Sequence, residues 1–314
     1  MIRFVPHTDI DPVQWDAAVH HALFPTVLCT YEMLNILSGD AQWHALVQDD
    51  YVAVMPLPAR SKMHVHYLYT PFFISQMGIF SSQPVSAQLT KDFLNALPRR
   101  YKQVDLLLNV ENDTSSLQVN MLSLISHQLH LNQPYEQLYA AYSQNTQRNI
   151  KSAHKQALRL TIGEDIVDDI IRMFRDSKGA DSAVHYKDND YATLKVAAQK
   201  LKAQNRLDVL GVRNADDQLI AGALLVRDYQ RLWFWFSGRD NAFAQSKSMF
   251  FLLDEYIRQQ AQTSYILDFN GSMNENVARL YKSFGGQPYT IPMVNQTSGI
   301  LFKTLLKVYK AFSH

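Results

Sequence analysis

The stretch YILDFNGSMNENVARLYKSFGG, residues 265–286, holds the side chains best suited to chemistry. An apolar run ends at Asp268, Asn270 and Ser272 and passes at once into a helix signal. Strand ends of this kind are where α/β enzymes present groups to a ligand. Asp268 offers a carboxylate there, able to take a proton, to hold a substrate, or only to tie the strand end to a neighbouring helix. Asn274 is placed to cap the following helix and Gly285 to end it in the left-handed conformation. Between them Val277, Leu280, Tyr281 and Phe284 form one apolar face, so the helix is expected to pack on a sheet. Periodicity alone reads Tyr281 as a core aromatic with a satisfied hydroxyl.

Two other groups of residues suit anions. Gln245, Ser246, Lys247 and Ser248 bring hydroxyls, a cation and amides to a helix start, which is an anion site or simply an N-cap beside a solvated lysine. Arg148, Lys151, Lys155 and Arg159 recur at three- and four-residue spacing and line one helix face. That stripe fits solvent, a phosphate, or the acceptor end of a tRNA. Trp233, Phe234, Trp235 and Phe236 alternate across a strand expected to be buried on both faces, with Trp235 a candidate for lining a substrate pocket.

The elements that must position these groups follow from hydrophobic period. Residues 207–214, 219–227 and 231–237 read as three antiparallel strands. A helix over 246–262, a strand over 265–269, a helix over 274–284 and a strand over 287–294 follow, with helices at 166–176 and 191–205 upstream. The first half has a similar order: strands at 43–47, 51–57 and 63–69, a helix at 86–97 and a strand at 104–109. Similar order at similar length points to a duplicated domain. The first half has no counterpart of NENVARLYKSFGG. We expect one domain over 1–133 and a second over 134–314, with a linker helix at 134–159.

With 314 residues, two domains fit the length. Thirty basic and 29 acidic residues give a net charge of +1, which argues against a dedicated nucleic-acid binder but allows a local basic patch. A hydrophobic fraction of 47% with 19% charged residues is that of a folded globular chain. The lone Cys29 excludes an intramolecular disulfide framework. Its surroundings show no sign of a nucleophile. No secretory core or membrane-length apolar run is present, so a cytoplasmic location without membrane insertion is expected. His64 with His66 on a strand, and His127 with His130 on a helix, lack nearby acidic or thiol ligands, so no metal is expected.

Asn274, Val277, Leu280, Tyr281 and Gly285 resemble the N-x-x-A-x-x-L-Y-x-x-x-G-F pattern of GNAT-type N-acyltransferases. QRNIKSAHKQALRL, residues 147–160, is similar to the R-x-I-x-K-A-x-K-x-G element of FemAB-like tandem GNAT proteins. The 268–286 segment resembles their D-F-G-G-S and F-K-x-x-F-G-G segments, and residues 55–81 their first-domain core. The group includes the cellulose-biosynthesis-type, CelD-like acetyltransferases. This resemblance touches about the whole chain.

The resemblance implies an α/β (α+β) fold of two tandem GNAT-like domains, each a mixed, mostly antiparallel sheet flanked by helices. It implies acyl transfer from acetyl-CoA or another acyl-CoA to an amine of a small molecule or bacterial cell-envelope precursor. Tyr281 would be the acid for the leaving thiolate and Asp268 the base or substrate anchor. Gln245, Ser246, Lys247, Ser248 and Asn274 would hold the donor; Arg148, Lys151, Trp235, Asn270 and Ser272 would face the acceptor. The family's Q/R-x-x-G-x-G/A loop is matched by Arg239 to Ala244, with alanines for glycines, which weakens the case for close phosphate approach. Two rivals remain: a FemAB-type transferase using aminoacyl-tRNA, and a non-catalytic protein that binds a metabolite or glycan.

Overall fold

A computed structural model describes residues 1–39, 43–62, 64–115, 117, 121–177, 186–270 and 275–297. The chain forms two compact units, Met1–Leu124 with Thr290–His314, and Ile125–Tyr289.

The first unit contains β1 (Ile2–Val5), α1 (Pro12–His20), α2 (Tyr31–Leu37), β2 (Trp43–Gln48), β3 (Ala53–Lys62), β4 (Val65–Tyr69), β5 (Phe80–Ser81), α3 (Ala87–Asn95) and β6 (Tyr101–Leu107). Asp11 caps α1 by accepting from the Val13 and Gln14 amides, with Pro12 at the first helical position. Strands β1 to β4 pair antiparallel in sequence order, β5 pairs with β3, and α3 crosses over to bring β6 parallel to β4. Trp15 and Trp43, both fully buried, meet at 4.8 Å in the core of this unit.

The strand β7 (Met121–His130) carries the chain into the second unit, and β13 (Gln287–Thr297) carries it back. Between them lie α4 (Tyr135–Ala140), α5 (Gln144–His154), β8 (Arg159–Ile162), α6 (Val167–Ser177), α7 (Asp188–Ala203), β9 (Leu207–Arg213), β10 (Leu219–Arg227), β11 (Arg231–Arg239), α8 (Ser248–Gln260), β12 (Ile266–Asp268) and α9 (Glu275–Ser283). Strands β8 to β11 form an antiparallel meander. α8 then crosses over to place β12 parallel to β11, and β7 closes the far side of β12 antiparallel. In each unit the strand pairing is mixed, mostly antiparallel and flanked by helices, as the resemblance implies.

The second core is apolar and aromatic, built from β10 and β11 with α8, α9 and the α4–α5 pair; it includes Phe234, Phe251, Tyr256, Phe269, Tyr281 and Phe284. Two local readings change. Residues 121–130 form a strand, so His127 and His130 sit on β7 and not on a helix. The basic stripe is also cut short: the 134–159 segment is two helices, and α5 stops at His154. Lys155 stands at its C-cap, Ala157 turns left-handed at φ 50°, and Arg159 belongs to β8, where it is paired with Asp217. Only Arg148 and Lys151 remain on one helix face.

Candidate active site

Although β11 and β12 are parallel neighbours, they pair at three positions only: Arg231 with Ile266, Leu232 with Leu267, and Trp233 with Asp268. β12 ends there, with all three of its residues paired, while β11 runs on to Arg239, so among the described residues the ladder stops at Asp268. The region beyond strand carboxyl ends is where α/β sheets take ligands. On its other edge β11 slips register against β10: Leu224 faces Phe236 and Leu225 faces Phe234. Trp235 is thus the extra residue of a β-bulge, which bends the strand just past the end of that ladder. Its side chain is buried.

Alternation along β12 sends Asp268 and Phe269 to opposite faces. On the Asp268 face the carboxylate is fully buried and accepts four hydrogen bonds. Arg231 gives one at 3.0 Å, Ser126 Oγ one at 3.1 Å, the Tyr289 hydroxyl one at 2.5 Å and the Asn270 amide one at 3.0 Å. Arg231 also donates to Gln128 at 3.1 Å. Burial pushes the Asp268 pKa up, and Arg231 together with these donors pulls against it. The carboxylate is an anchor that fixes the last β11–β12 pair. Asn270, where the chain turns left-handed at φ 60°, belongs to the same corner.

On the Phe269 face Tyr281 stacks against Phe269, with centroids 4.6 Å apart and planes 18° apart. Phe234 meets its edge at 6.2 Å and His127 lies at 6.4 Å. Burial, with the nearby Asp268 charge second, raises the Tyr281 pKa far above that of a free tyrosine. At neutral pH this phenol keeps its proton and is available as a donor.

The sequence explains how α9 brings Tyr281 there. Gly285 takes φ +81° just past the helix, and its amide and that of Gly286 bond back to the carbonyls of Lys282 and Tyr281. Gly286 is needed for contact: a Cβ there would come 2.8 Å from the Tyr281 carbonyl, 3.2 Å from the Phe269 ring and 3.3 Å from His127 Cβ. The second glycine lets β13, β7 and α9 converge. Asn274, expected to cap α9, and Ser272 lie outside the described residues.

The segment replacing the glycine loop is a short 3₁₀ helix, Asn241–Ser246, capped by Asp240. Ala242 and Ala244 lie within it, where a Cβ is accommodated without a positive φ. Gln245 is exposed. Ser246 is buried, donates to the Phe243 carbonyl at 2.6 Å and accepts from the Ser248 amide at 3.3 Å, so its hydroxyl is used internally. Lys247 adopts the left-handed conformation at φ 58° immediately before α8. Ser248, buried, opens that helix.

Arg148 and Lys151 are exposed on α5, whose buried face is Thr146, Ile150 and Ala153. The start of α5 is tied to the end of α9: Thr146 Oγ1 donates to Ser283 Oγ at 2.7 Å, and the Ser143 amide donates to the Ser283 carbonyl at 2.9 Å. The two basic residues therefore ride on a helix fixed to the one that carries Tyr281. Among the described residues, His154, Asp254 and Glu255 gather on α5 and α8. Arg258 already lies 3.5 Å from Asp254 and 3.7 Å from Glu255, supplying the positive charge that the pair of carboxylates needs.

Sequence reasoning missed Arg231, Ser126, Tyr289 and His127. Arg231 and Tyr289 sit at strand starts with no motif around them, and His127 was hidden by the misread of β7.

Residues 140–283 match the model of the acetyltransferase (GNAT) domain, so this chain carries a GNAT-type domain and is a transferase of that class. No curated protein matches by sequence. The whole fold is similar to the crystal structure of FemX, at TM-score 0.66 and 11% identity over 94% of this chain and 98% of that one. It is also similar to L-PGS from Bacillus licheniformis, at TM-score 0.58 and 9% identity over 97% and 98%. A third is the C-terminal domain of a putative lysylphosphatidylglycerol synthetase from Agrobacterium fabrum, at TM-score 0.56 and 11% identity over 96% and 94%. The fold class expected from the motifs, mixed α/β with mostly antiparallel sheet flanked by helices and a GNAT-type domain, is that of this chain. Among the described residues no helix is long and apolar enough to cross a membrane.

Proposed function

We propose that the second unit transfers an acyl group, acetyl in the simplest case, from a CoA thioester to a primary amine of a small metabolite or cell-envelope precursor. The observation that carries this reading is the end of the β11–β12 ladder at Trp233 and Asp268, with a bulge at Trp235 on the strand that runs on and the buried Tyr281 stacked on Phe269 beside it. An extended, amide-bearing pantetheine arm can pair with a strand edge as an added strand does. The apolar walls of Phe234 and Phe269 keep water from the thioester.

In this reading Tyr281 protonates the departing thiolate. Lys247, with Gln245 and Ser248, holds the donor's phosphates at the start of α8, and Asn274 is assigned to the same donor. Asp268 holds Arg231 and Tyr289 in place at the end of β12, while Trp235, Asn270 and Ser272 are assigned to the acceptor. Arg148 and Lys151 meet a negatively charged portion of the acceptor. The division into a first domain over 1–133, without acyl-donor machinery, and a catalytic one over 134–314 belongs to the same proposal, as does a cytoplasmic location.

An aminoacyl-tRNA-dependent reaction is the second reading, favoured by the fold likeness to FemX. Against it stands the basic stripe, reduced from four residues to Arg148 and Lys151. Tyr281 also occupies the place of the lysine in the F-K-x-x-F-G-G segment. The test is thiol release from acetyl-CoA in the presence of small primary amines, with wild type and Tyr281→Phe. Turnover that collapses in the variant supports acyl-CoA transfer; turnover unchanged by the substitution removes Tyr281 from the chemistry.

A further inference from the structure

Acyl transfer to an amine needs a proton acceptor, because an ammonium ion has no lone pair with which to attack. Asp268 is poorly placed for that work, because its oxygens already take four hydrogen bonds. Resting on the reading given above, we propose that His127 on β7 is the base of this site, receiving the amine's proton at Nδ1 while Tyr281 serves as the acid.

His127 lies one step past the β7–β12 ladder, where its carbonyl accepts from the Phe269 amide at 3.0 Å. Its ring stands 6.4 Å from that of Tyr281, on the face where Phe269 and Phe234 form the walls. The residue is 4% exposed, and Nδ1 is enclosed with no hydrogen-bond partner. Enclosed polar atoms nearly always find partners, so one left open beside a candidate acid marks a place where a reacting group docks. A neutral imidazole with its proton on Nε2 presents Nδ1 as an acceptor.

The charged and titratable groups that act on His127 are Lys282 and Tyr281 from α9 and, from the opposite face of β12, Asp268. Burial first, and Lys282 second, hold its pKa below the ordinary histidine value, with Asp268 opposing them. The imidazole is therefore neutral and ready to accept at neutral pH. Gly286, whose added Cβ would come 3.3 Å from His127 Cβ, keeps the strand and the helix end close enough for the pair to share one site.

The proton balance closes. The ammonium gives one proton to His127 Nδ1, and the freed lone pair forms the C–N bond at the thioester carbon. As the C–S bond breaks, the sulfur takes the Tyr281 hydroxyl proton. The phenolate recovers the second proton shed by nitrogen, and His127 releases its proton to solvent.

The test pairs calorimetry with CoA against the pH profile of CoA release from acetyl-CoA, with ethanolamine and glucosamine as amine probes, for wild type and His127→Asn. Asparagine keeps a polar atom near the Nδ1 position but cannot be protonated in this range. We expect unchanged CoA affinity, a rate lower by about 10²–10⁴, and loss of an acidic limb whose wild-type midpoint lies below about 6.5. An active variant with the wild-type pH profile overturns the assignment while leaving the donor reading intact. So does loss of CoA affinity in the variant alone, which would make His127 structural, and so does CoA binding by a wild type that releases no thiol with either probe. A wild type that does not bind CoA overturns the donor reading and this proposal with it. Should the variant fail to fold, the wild-type profile decides: a rate independent of pH through the histidine range contradicts the proposal.

Discussion

The two units share a plan and differ where chemistry would occur. In the first, β2, β3 and β4 form an antiparallel meander, α3 crosses over, and β6 returns parallel to β4. In the second, β9, β10 and β11 form the meander, α8 crosses over, and β12 returns parallel to β11. The β4–β6 pair runs from His66 to Tyr69, the end of β4, with a register shift after His66. The β11–β12 pair ends at Trp233 and Asp268, where β12 itself ends, with most of β11 still to come. A long strand running on past its short parallel neighbour, and a helix carrying a phenol to the ring that follows that neighbour, distinguish the second unit from the first. The closing strands add a further relation: β13 follows the second unit in sequence but pairs with β6, while β7 follows β6 but pairs with β12.

The sharpest way to break the comparison is to remove the phenol from each side. Tyr281→Phe should lower acyl transfer by about 10²–10⁴ with CoA affinity retained, as expected for a lost proton donor. Tyr69→Phe, at the end of the β4–β6 pair, removes a hydrogen bond to the Ser38 carbonyl and should leave transfer unchanged. Steady-state rates and calorimetry on the two variants read this directly.

The anchor at the end of β12 comes next. Asp268→Asn leaves Arg231 without its buried counter-charge and should cost about 3–5 kcal/mol of stability in denaturant titration. A smaller loss, about 1–3 kcal/mol, is expected for Gly286→Ala, because the new Cβ must displace the Tyr281 carbonyl or the Phe269 ring. That variant should also slow transfer more than its stability loss explains, by shifting Tyr281.

The smallest effect concerns pH. The folded His127 pKa is lowered, so the unfolded chain takes its proton first as pH falls through about 6.5. Stability from this residue is therefore complete above that value and declines below it until the folded imidazole titrates. His127→Gln should flatten the acidic side of a stability profile measured by urea unfolding.

Much of this arrangement is legible in the sequence. The three-strand meander and the helix crossover follow from alternation and period, and the end of α9 from Gly285. What escaped did so for physical reasons. MLSLISHQLH spaces its apolar residues in a way that suits a helix as well as a strand, so β7 and His127 were placed wrongly. RLWFWFS is apolar at every central position, so no alternation betrays the extra residue at Trp235. In KSAHKQALRL neither glycine nor proline marks the end of α5; Ala157 makes the turn, and the basic stripe breaks there. Asp268 was legible as a strand-end acid, but its four donors come from β7, β11, β13 and the Asn270 turn, which no local pattern brings together.

The central claim, that the β11 and β12 strand ends of the second unit hold an acyl-CoA, is tested most directly by calorimetric titration of the whole chain with CoA and acetyl-CoA. Wild type should bind both with micromolar affinity, about −8 kcal/mol. Lys247→Ala and Ser248→Ala should weaken binding, and Tyr281→Phe should leave it intact. Absence of binding, or binding indifferent to Lys247 and Ser248, would contradict the account.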